Sequence, residues 1–333
     1  MNLLPAQTLS GVDRIHHGDA LSVLRKLPSG SVQTIVTSPP YFGLRDYGVN
    51  GQIGLEPTPQ EYVATLVKVF REARRVLSDD GTLWLNLGDS YASGEIGRHD
   101  SVQGREIDGK RVTAKAKQRQ QAKVDTGVAP KNLLGIPWRT AFALQDDGWY
   151  LRSDIIWAKP NPMPESVTDR PTKAHEYVFL FAKSPRYYYD ADAVREPAIS
   201  GTDLGLLRSR GDGDNDHVSW HAASIKKRQQ AGVDSRTAGS GFRNRRTVWN
   251  VATQPFKGAH FATFPPKLIE PCILAGAPVG GVVLDPFFGS GTTGQVAIEH
   301  GRHYVGIELN ADYIAIANER LADAQLPLFA GVA

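Results

Sequence analysis

The stretch that most constrains how this 333-residue chain can fold runs from Gly281 to Asn310. Gly281-Val282-Val283-Leu284 is apolar and β-branched, as a buried strand requires. It leads into the glycine-punctuated turn Asp285-Pro286-Phe287-Phe288-Gly289-Ser290-Gly291-Thr292-Thr293-Gly294. The pattern then predicts a helix over Gln295 to His300 and a strand from His303 to Asn310 that carries Glu308 near its end. A helix from Asp312 to the neighbourhood of Ala324 closes the unit. Strand, turn, helix and strand is the repeating piece of a parallel α/β sheet, whose ligands bind beyond the C-terminal strand ends.

The N-terminal part repeats the alternation. Val12 to Asp19 reads as a strand ending in a Gly-Asp turn, and Ala20 to Leu27 as a helix with Leu21, Leu24 and Leu27 on one face. Asp19 is placed either to bind a ligand amine or hydroxyl or to cap that helix. Val32 to Thr37 is a second buried strand, cut off by Pro39 and Pro40, neither of which can donate to a ladder. Ser38-Pro39-Pro40-Tyr41 is thus a rigid corner at a strand end, followed by a glycine-punctuated, aromatic loop. Thr58 to Leu77 predicts a long helix with Glu61 in the capping-box position. Asp79-Asp80-Gly81 reads as a turn, and Thr82 to Leu87 as a strand ending in Gly88-Asp89. Further on, Ile136 to Leu144 predicts a helix, while Trp149 to Trp157 and His175 to Phe181 predict strands.

Gly289, Gly291 and Gly294 fit G-x-G-x-x-G, and Glu308 follows at about the 20-residue spacing of a dinucleotide site. Asp285 argues against that reading, because its carboxylate would lie beside a pyrophosphate. No lysine follows the glycines, so a phosphate-binding P-loop fits worse. S-adenosylmethionine suits the charges better, with an ammonium and a sulfonium for an acid, a ribose for Glu308 and an adenine for apolar side chains.

The two corners together resemble the signature of DNA amino-methyltransferases. Asp285 to Thr293 looks like that family's cofactor motif, and Ser38-Pro39-Pro40-Tyr41 its catalytic tetrapeptide. The catalytic motif precedes the cofactor motif with a long variable region between, which is similar to the circularly permuted β group. The resemblance implies a doubly wound, mostly parallel α/β sheet of the seven-stranded methyltransferase type, completed by both ends of the chain, with an irregular DNA-recognition insertion. The chain is expected to divide into a catalytic half over 1–91, a flexible basic insertion over 92–130, further strands over 131–190, a target-recognition region over 191–250 and a cofactor half over 251–333, the two irregular regions being read from their composition and not from the resemblance. Asp285, Phe287, Gly289 and Gly291 would hold the methionine part of the cofactor, Glu308 the ribose and Asp19 the adenine amino group, with Pro286, Ser290 and Thr292 as further cofactor-binding positions. His260, Phe261, Ala262 and Phe264 resemble the segment covering the methionine end, and Asp89 and Asn310 are further cofactor-side candidates.

The activity so implied is direct methyl transfer to an exocyclic amine of a base flipped out of duplex DNA. Ser38 and the Pro39 carbonyl would accept the amino hydrogens, and Tyr41 would stack on the base. Serine at the head of the tetrapeptide is more typical of cytosine-N4 enzymes than of adenine-N6 enzymes, so cytosine is the expected base and adenine the alternative. Transfer to cytosine C5 needs a thiolate, and Cys272, the one cysteine, lies in an apolar helix where packing explains it. The rival readings are a dinucleotide-dependent oxidoreductase and a basic DNA-binding protein whose methylation site is dead.

Between Ser101 and Lys131 bases outnumber acids, and 191–247 is glycine-rich with clusters Lys226-Lys227-Arg228 and Arg243-Asn244-Arg245-Arg246. Solvated loops, or disorder in the glycine-rich stretch, would explain either region. Phosphate contact suits the first, and paired contact with guanine edges suits Arg243, Arg245 and Arg246 in the second. A net charge of only +3 makes this a matter of local patches. No apolar run reaches a membrane span of roughly 18 residues, the N-terminus has no signal-peptide pattern, and no motif calls for a metal. A cytoplasmic protein is expected, with duplex DNA as substrate. A cognate restriction endonuclease and a homodimer are the partners the resemblance adds.

Overall fold

The computed structural model describes residues 12–92, 127–197, 242–254 and 264–329. Strands β1 (Arg14–His17), β2 (Val32–Thr37), β3 (Leu77–Leu87), β4 (Tyr150–Ala158), β5 (His175–Ala182), β8 (Val248–Asn250), β9 (Val282–Asp285) and β10 (His303–Glu308) form one eight-stranded sheet. Its order is β1-β10-β9-β2-β3-β5-β4-β8. Every pairing is parallel except the two made by β5, which runs against β3 and β4. The short strands β6 (Glu196–Pro197) and β7 (Phe242–Arg243) pair separately. The two ends of the chain share the sheet: β1 lies on β10, and β2 lies between β3 and β9.

Helices α1 (Ala20–Leu24), α2 (Pro59–Val76) and α3 (Ile136–Asp146) cover one face, and α4 (Pro266–Gly276), α5 (Thr292–Glu299) and α6 (Ala311–Phe329) the other. The strand alternation feeds both cores. Ile35, Leu83 and Leu85 pack towards α2, while Val36 and Trp84 pack towards α4. In α2 the Thr58 side chain accepts from the Glu61 N–H at 3.2 Å, Pro59 sits where no donor is needed, and Arg74 and Arg75 occupy the last turn. Its stripe Tyr62, Leu66, Val69, Phe70 and Ala73 is buried, and each large member contributes about 1.5–3 kcal/mol by leaving water.

Several local expectations are corrected. Asp79-Asp80-Gly81 lies inside β3: the register jumps from Val32↔Leu77 to Thr34↔Thr82, so these residues form a bulge that re-aligns the strand instead of ending it. Helix α5 begins at Thr292, three residues before the expected start, because Gly291 at φ +83° turns the chain straight into it. The sheet has an eighth strand, β8, added beside β4. Trp249 is buried there, and Trp157 Nε1 donates to the Val251 carbonyl at 2.7 Å. No helix among the described residues is long and apolar enough to cross a membrane.

Candidate active site

The chain leaves β9 towards β10 on one side, whereas β2 leads to β3 on the other. The crevice beyond the ends of β9 and β2 is therefore the topological switch point, the place where open α/β sheets bind ligands. Both corners sit there. Asp285 closes β9, Ser38 follows β2, Glu308 closes β10, and Asp19 follows β1 across a Gly18 turn. A single cavity is lined by Asp19, Ser38 to Tyr41, Phe264, Asp285 to Ser290, Thr292, Glu308 and Asn310.

Asp285 is 1% exposed. Its Oδ1 accepts from Thr37 Oγ1 at 2.6 Å and the Phe287 N–H at 3.0 Å, and its Oδ2 from Thr293 Oγ1 at 2.7 Å. Burial pushes its pKa up to about 6, against the lowering effect of those three donors, and nearby Glu308 adds to the rise. A carboxylate offers about four acceptor positions, and the described residues fill three of them on Asp285, which lines the cavity. Thr37 belongs to the strand that delivers the tetrapeptide, so its hydroxyl ties the two corners together.

Glu308 accepts from the Gly289 N–H at 2.8 Å through Oε2 and from the Asn310 N–H at 2.8 Å through Oε1. Burial raises its pKa, again against those backbone donors. Phe288 explains the third glycine of the turn: a Cβ on Gly294 would stand 2.6 Å from its ring, and one on Gly306 of β10 2.5 Å. The ring is clamped between helix and strand, and stacks on Tyr304 at 5.6 Å. Arg320 of α6 donates to Ser290 Oγ at 3.2 Å and Thr292 Oγ1 at 2.8 Å, which fixes the start of α5.

A family model described as DNA methylase, of the N6/N4 methyltransferase type, matches residues 32–319 and so includes both corners. The chain belongs to this DNA methylase family. It is 53% identical over 309 residues to the Type II methyltransferase M.Cfr9I of Citrobacter freundii, covering 92% of this chain and 87% of that one. It is 47% identical over 307 residues to M.SmaI of Serratia marcescens, covering 91% and 89%. Among solved structures, the PvuII DNA methyltransferase, described as cytosine-N4-specific, shares the fold with a TM-score of 0.58 at 19% identity, covering 96% of this chain and 88% of that one. A Thermus thermophilus protein complexed with S-adenosyl-L-methionine gives 0.54 at 24% identity, covering 93% and 95%.

In this methylase the remaining expectations divide clearly. Asp19 caps α1, accepting from the Ser22 N–H at 2.9 Å, and it also lines the cavity. Asn310 also caps, accepting from the Asp312 N–H at 2.9 Å. Asp89 is corrected. It lies outside the cavity lining and accepts from the Gly135 and Ile136 N–H groups at 3.1 and 3.0 Å, since the first donors of α3 have no partner within the helix. Arg243 and Arg246 both donate to Glu196 at 2.9 Å, and Arg245 lies 4.6 Å over the Trp249 ring. Two guanidiniums on one carboxylate keep a net positive charge there. His260, Phe261, Ala262, Lys226, Lys227 and Arg228 lie outside the described residues. Cys272 is buried in α4, and burial pushes its thiol far up, so it carries no thiolate.

Sequence reasoning missed part of the site. The loop after the tetrapeptide roofs the cavity through Tyr47 and Gln52, and Tyr47 meets Tyr313 of α6 edge-on at 6.3 Å. Around the Tyr41 hydroxyl lies a part-buried polar group. Tyr41 Oη donates to Glu176 Oε2 at 2.6 Å, Asn86 Nδ2 donates to the same oxygen at 3.2 Å, and Lys159 Nζ pairs with Glu176 Oε1. The signal that could have found Glu176 is an acid in the otherwise apolar strand His175-Glu176-Tyr177-Val178-Phe179, where its histidine neighbour draws the eye first. His175 itself packs edge-on to Tyr177 at 5.4 Å.

Proposed function

We propose that this methylase moves a methyl group from S-adenosylmethionine to the exocyclic N4 of a cytosine flipped out of duplex DNA. The observation that carries the reading is the meeting of the two corners: a serine-headed Pro-Pro-Tyr turn and a carboxylate-bearing glycine turn face one cavity, joined by the Thr37–Asp285 hydrogen bond of 2.6 Å. The residues present fit the cofactor. Asp285 offers a carboxylate in the cavity lining for an ammonium, Glu308 is an acceptor at the next strand end, and Gly289 and Gly291 keep the turn open with φ of +52° and +83°. Asp285, Phe287, Gly289 and Gly291 would hold the methionine part, Glu308 the ribose, and Asp19 the adenine amino group, with Pro286, Ser290, Thr292, Phe264 and Asn310 completing the walls. When bound there, the cofactor supplies an electrophilic methyl group on sulfur.

The chain does the rest by positioning. The target atom is unreachable inside the stack, so the base leaves the duplex. Ser38 Oγ and the Pro39 carbonyl accept the amino hydrogens and turn the nitrogen lone pair to the methyl group. Tyr41 offers a ring face to the base while its other side rests on Gly88, where a Cβ would come within 2.5 Å of the ring. Serine at position 38 supports cytosine. Arg243, Arg245 and Arg246 are the described residues assigned to DNA contact, together with Lys226, Lys227 and Arg228. The Type II relatives support a restriction endonuclease of the same target sequence as functional partner, and pairing of two copies is part of the same reading.

The test is incubation of duplex DNA with the protein and methyl-labelled cofactor, followed by nucleoside digestion and mass analysis. N4-methylcytosine is the expected product, lost in Ser38→Ala. N6-methyladenine alone overturns the choice of base, and cofactor binding without DNA label overturns the choice of acceptor.

A further inference from the structure

An exocyclic amine that has taken a methyl group must also lose a proton, and the polar group around the Tyr41 hydroxyl is arranged to receive it. Ser38 Oγ donates to Tyr41 Oη at 3.4 Å, and Tyr41 Oη has two acceptors in reach, Glu176 Oε2 at 2.6 Å and Asn86 Oδ1 at 3.2 Å, of which the carboxylate is the nearer and takes its proton. The Ser38–Tyr41 link is the longest, and hydrogen bonds of this kind tighten when a substrate group donates into the chain. Resting on the proposed amine transfer, we propose that Glu176 is the terminal acceptor of the amine proton, reached through the Ser38 and Tyr41 hydroxyls.

The balance is complete. The amine nitrogen forms an N–C bond as the C–S bond of the donor breaks, leaving a neutral thioether, and positive charge builds on the nitrogen as the bond forms. In the same step the amine gives one proton to Ser38 Oγ, Ser38 passes its own to Tyr41 Oη, and Tyr41 passes its own to Glu176 Oε2. Both hydroxyls end neutral, and Glu176 becomes a carboxylic acid. The direction is downhill, because an alkylated exocyclic amine whose lone pair is committed to the new bond is a stronger acid than a carboxylic acid. Tyr41 never has to ionise, which suits its surroundings: burial and the adjacent Glu176 hold its pKa well above the ordinary phenol value.

The chain around Glu176 is built to hold this geometry. Asn86 Nδ2 is anchored on the Tyr177 carbonyl at 3.0 Å while it supports Glu176 Oε2, and Lys159, stacked 4.3 Å over the Trp157 ring, holds the other oxygen. The side chains of Glu176 and Lys159 are 14% and 18% exposed, so the pair is sheltered from water. A buried ion pair is weak evidence of stabilisation, which leaves room for a different role. Glu176 touches no substrate in this scheme and is a positioning residue acting through Tyr41.

The experiment measures single-turnover methyl transfer by the full chain on DNA carrying one target site, for Glu176→Gln, Tyr41→Phe and the double variant. Cofactor affinity is measured by calorimetry, and flipping by 2-aminopurine fluorescence at the target position. Each single variant is expected to lose roughly 100-fold in rate, in the range of general base catalysis, with affinity and flipping signal unchanged. The double variant is expected to be no slower than either single one, because the groups act in series. A solvent deuterium effect on the wild-type rate is expected to vanish in Tyr41→Phe, which leaves the Glu176–Lys159 pair intact. Near wild-type rates in either single variant, or losses that multiply in the double variant, overturn the relay. The wild-type product separates the two proposals: N6-methyladenine leaves the relay test standing, whereas absence of any methylated DNA amine sinks both.

Discussion

If Asp285 holds the cationic end of the cofactor, as proposed, its raised pKa gives cofactor binding a pH dependence that follows from the structure. Its folded pKa lies near 6, pushed up by burial, whereas an unfolded aspartate titrates near ~3.9. The folded protein therefore keeps a proton that the unfolded chain has released, so this group lowers stability as pH rises between these values. Above the window the cost levels off at about 3 kcal/mol. A cation bound beside Asp285 favours its ionised form and so recovers part of that cost. The ammonium and sulfonium of S-adenosylmethionine both stay cationic from pH 5 to 7, because an α-amino group titrates near ~7.7–8.0. Affinity should consequently strengthen about tenfold from pH 5 to 7. Calorimetry in buffers of different ionisation enthalpy should show nearly one proton released per cofactor bound at pH 5 and almost none at pH 7. In Asp285→Asn the affinity should be weaker and flat over this range. Glu308 is also raised by burial, and the Asn variant separates its contribution. A wild-type affinity independent of pH, or an equal slope in Asp285→Asn, would refute the assignment of Asp285 to the cofactor's charged end.

Other consequences are more direct. Thr37→Val removes the hydroxyl that bridges the two corners and leaves Asp285 one donor short, so cofactor affinity should fall by about 1–3 kcal/mol, read by the same calorimetry. Gly306→Ala drives a methyl group into the Phe288 ring at 2.5 Å; overpacking of this kind should cost about 1–3 kcal/mol in denaturant unfolding. Phe179→Ala empties a fully buried position against Trp138 and should cost about 3–5 kcal/mol by the same measurement. Cys272→Ala should leave the single-turnover rate of methyl transfer unchanged, since the buried thiol takes no part in it.

Much of this protein was legible from local pattern. The apolar, β-branched runs Val32–Thr37 and Val282–Asp285, the capped α2 and the two corners that follow the parallel strands are dictated by strand propensity, missing proline donors and glycine conformations, all of which act within a few residues. The family signature lay in those same corners, where backbone geometry and chemistry are set together.

What the local pattern could not supply was partnership across the sheet. Asp79 to Gly81 looked like a turn because a bulge uses turn residues, and only pairing with β2 shows the strand continuing through it. Asp89 looked like its strand-end counterparts, but the start of α3, far along the chain, claimed its oxygens. Thr37 and Asp285 are 248 residues apart, and their hydrogen bond exists because β2 and β9 lie side by side. Glu176 stands at the start of its strand, where a parallel strand would have carried it to the edge opposite the site. Because β5 runs antiparallel, that start falls at the catalytic edge, beside Tyr41. Strand direction is a property of the assembled sheet, and it decided which acid the tetrapeptide meets.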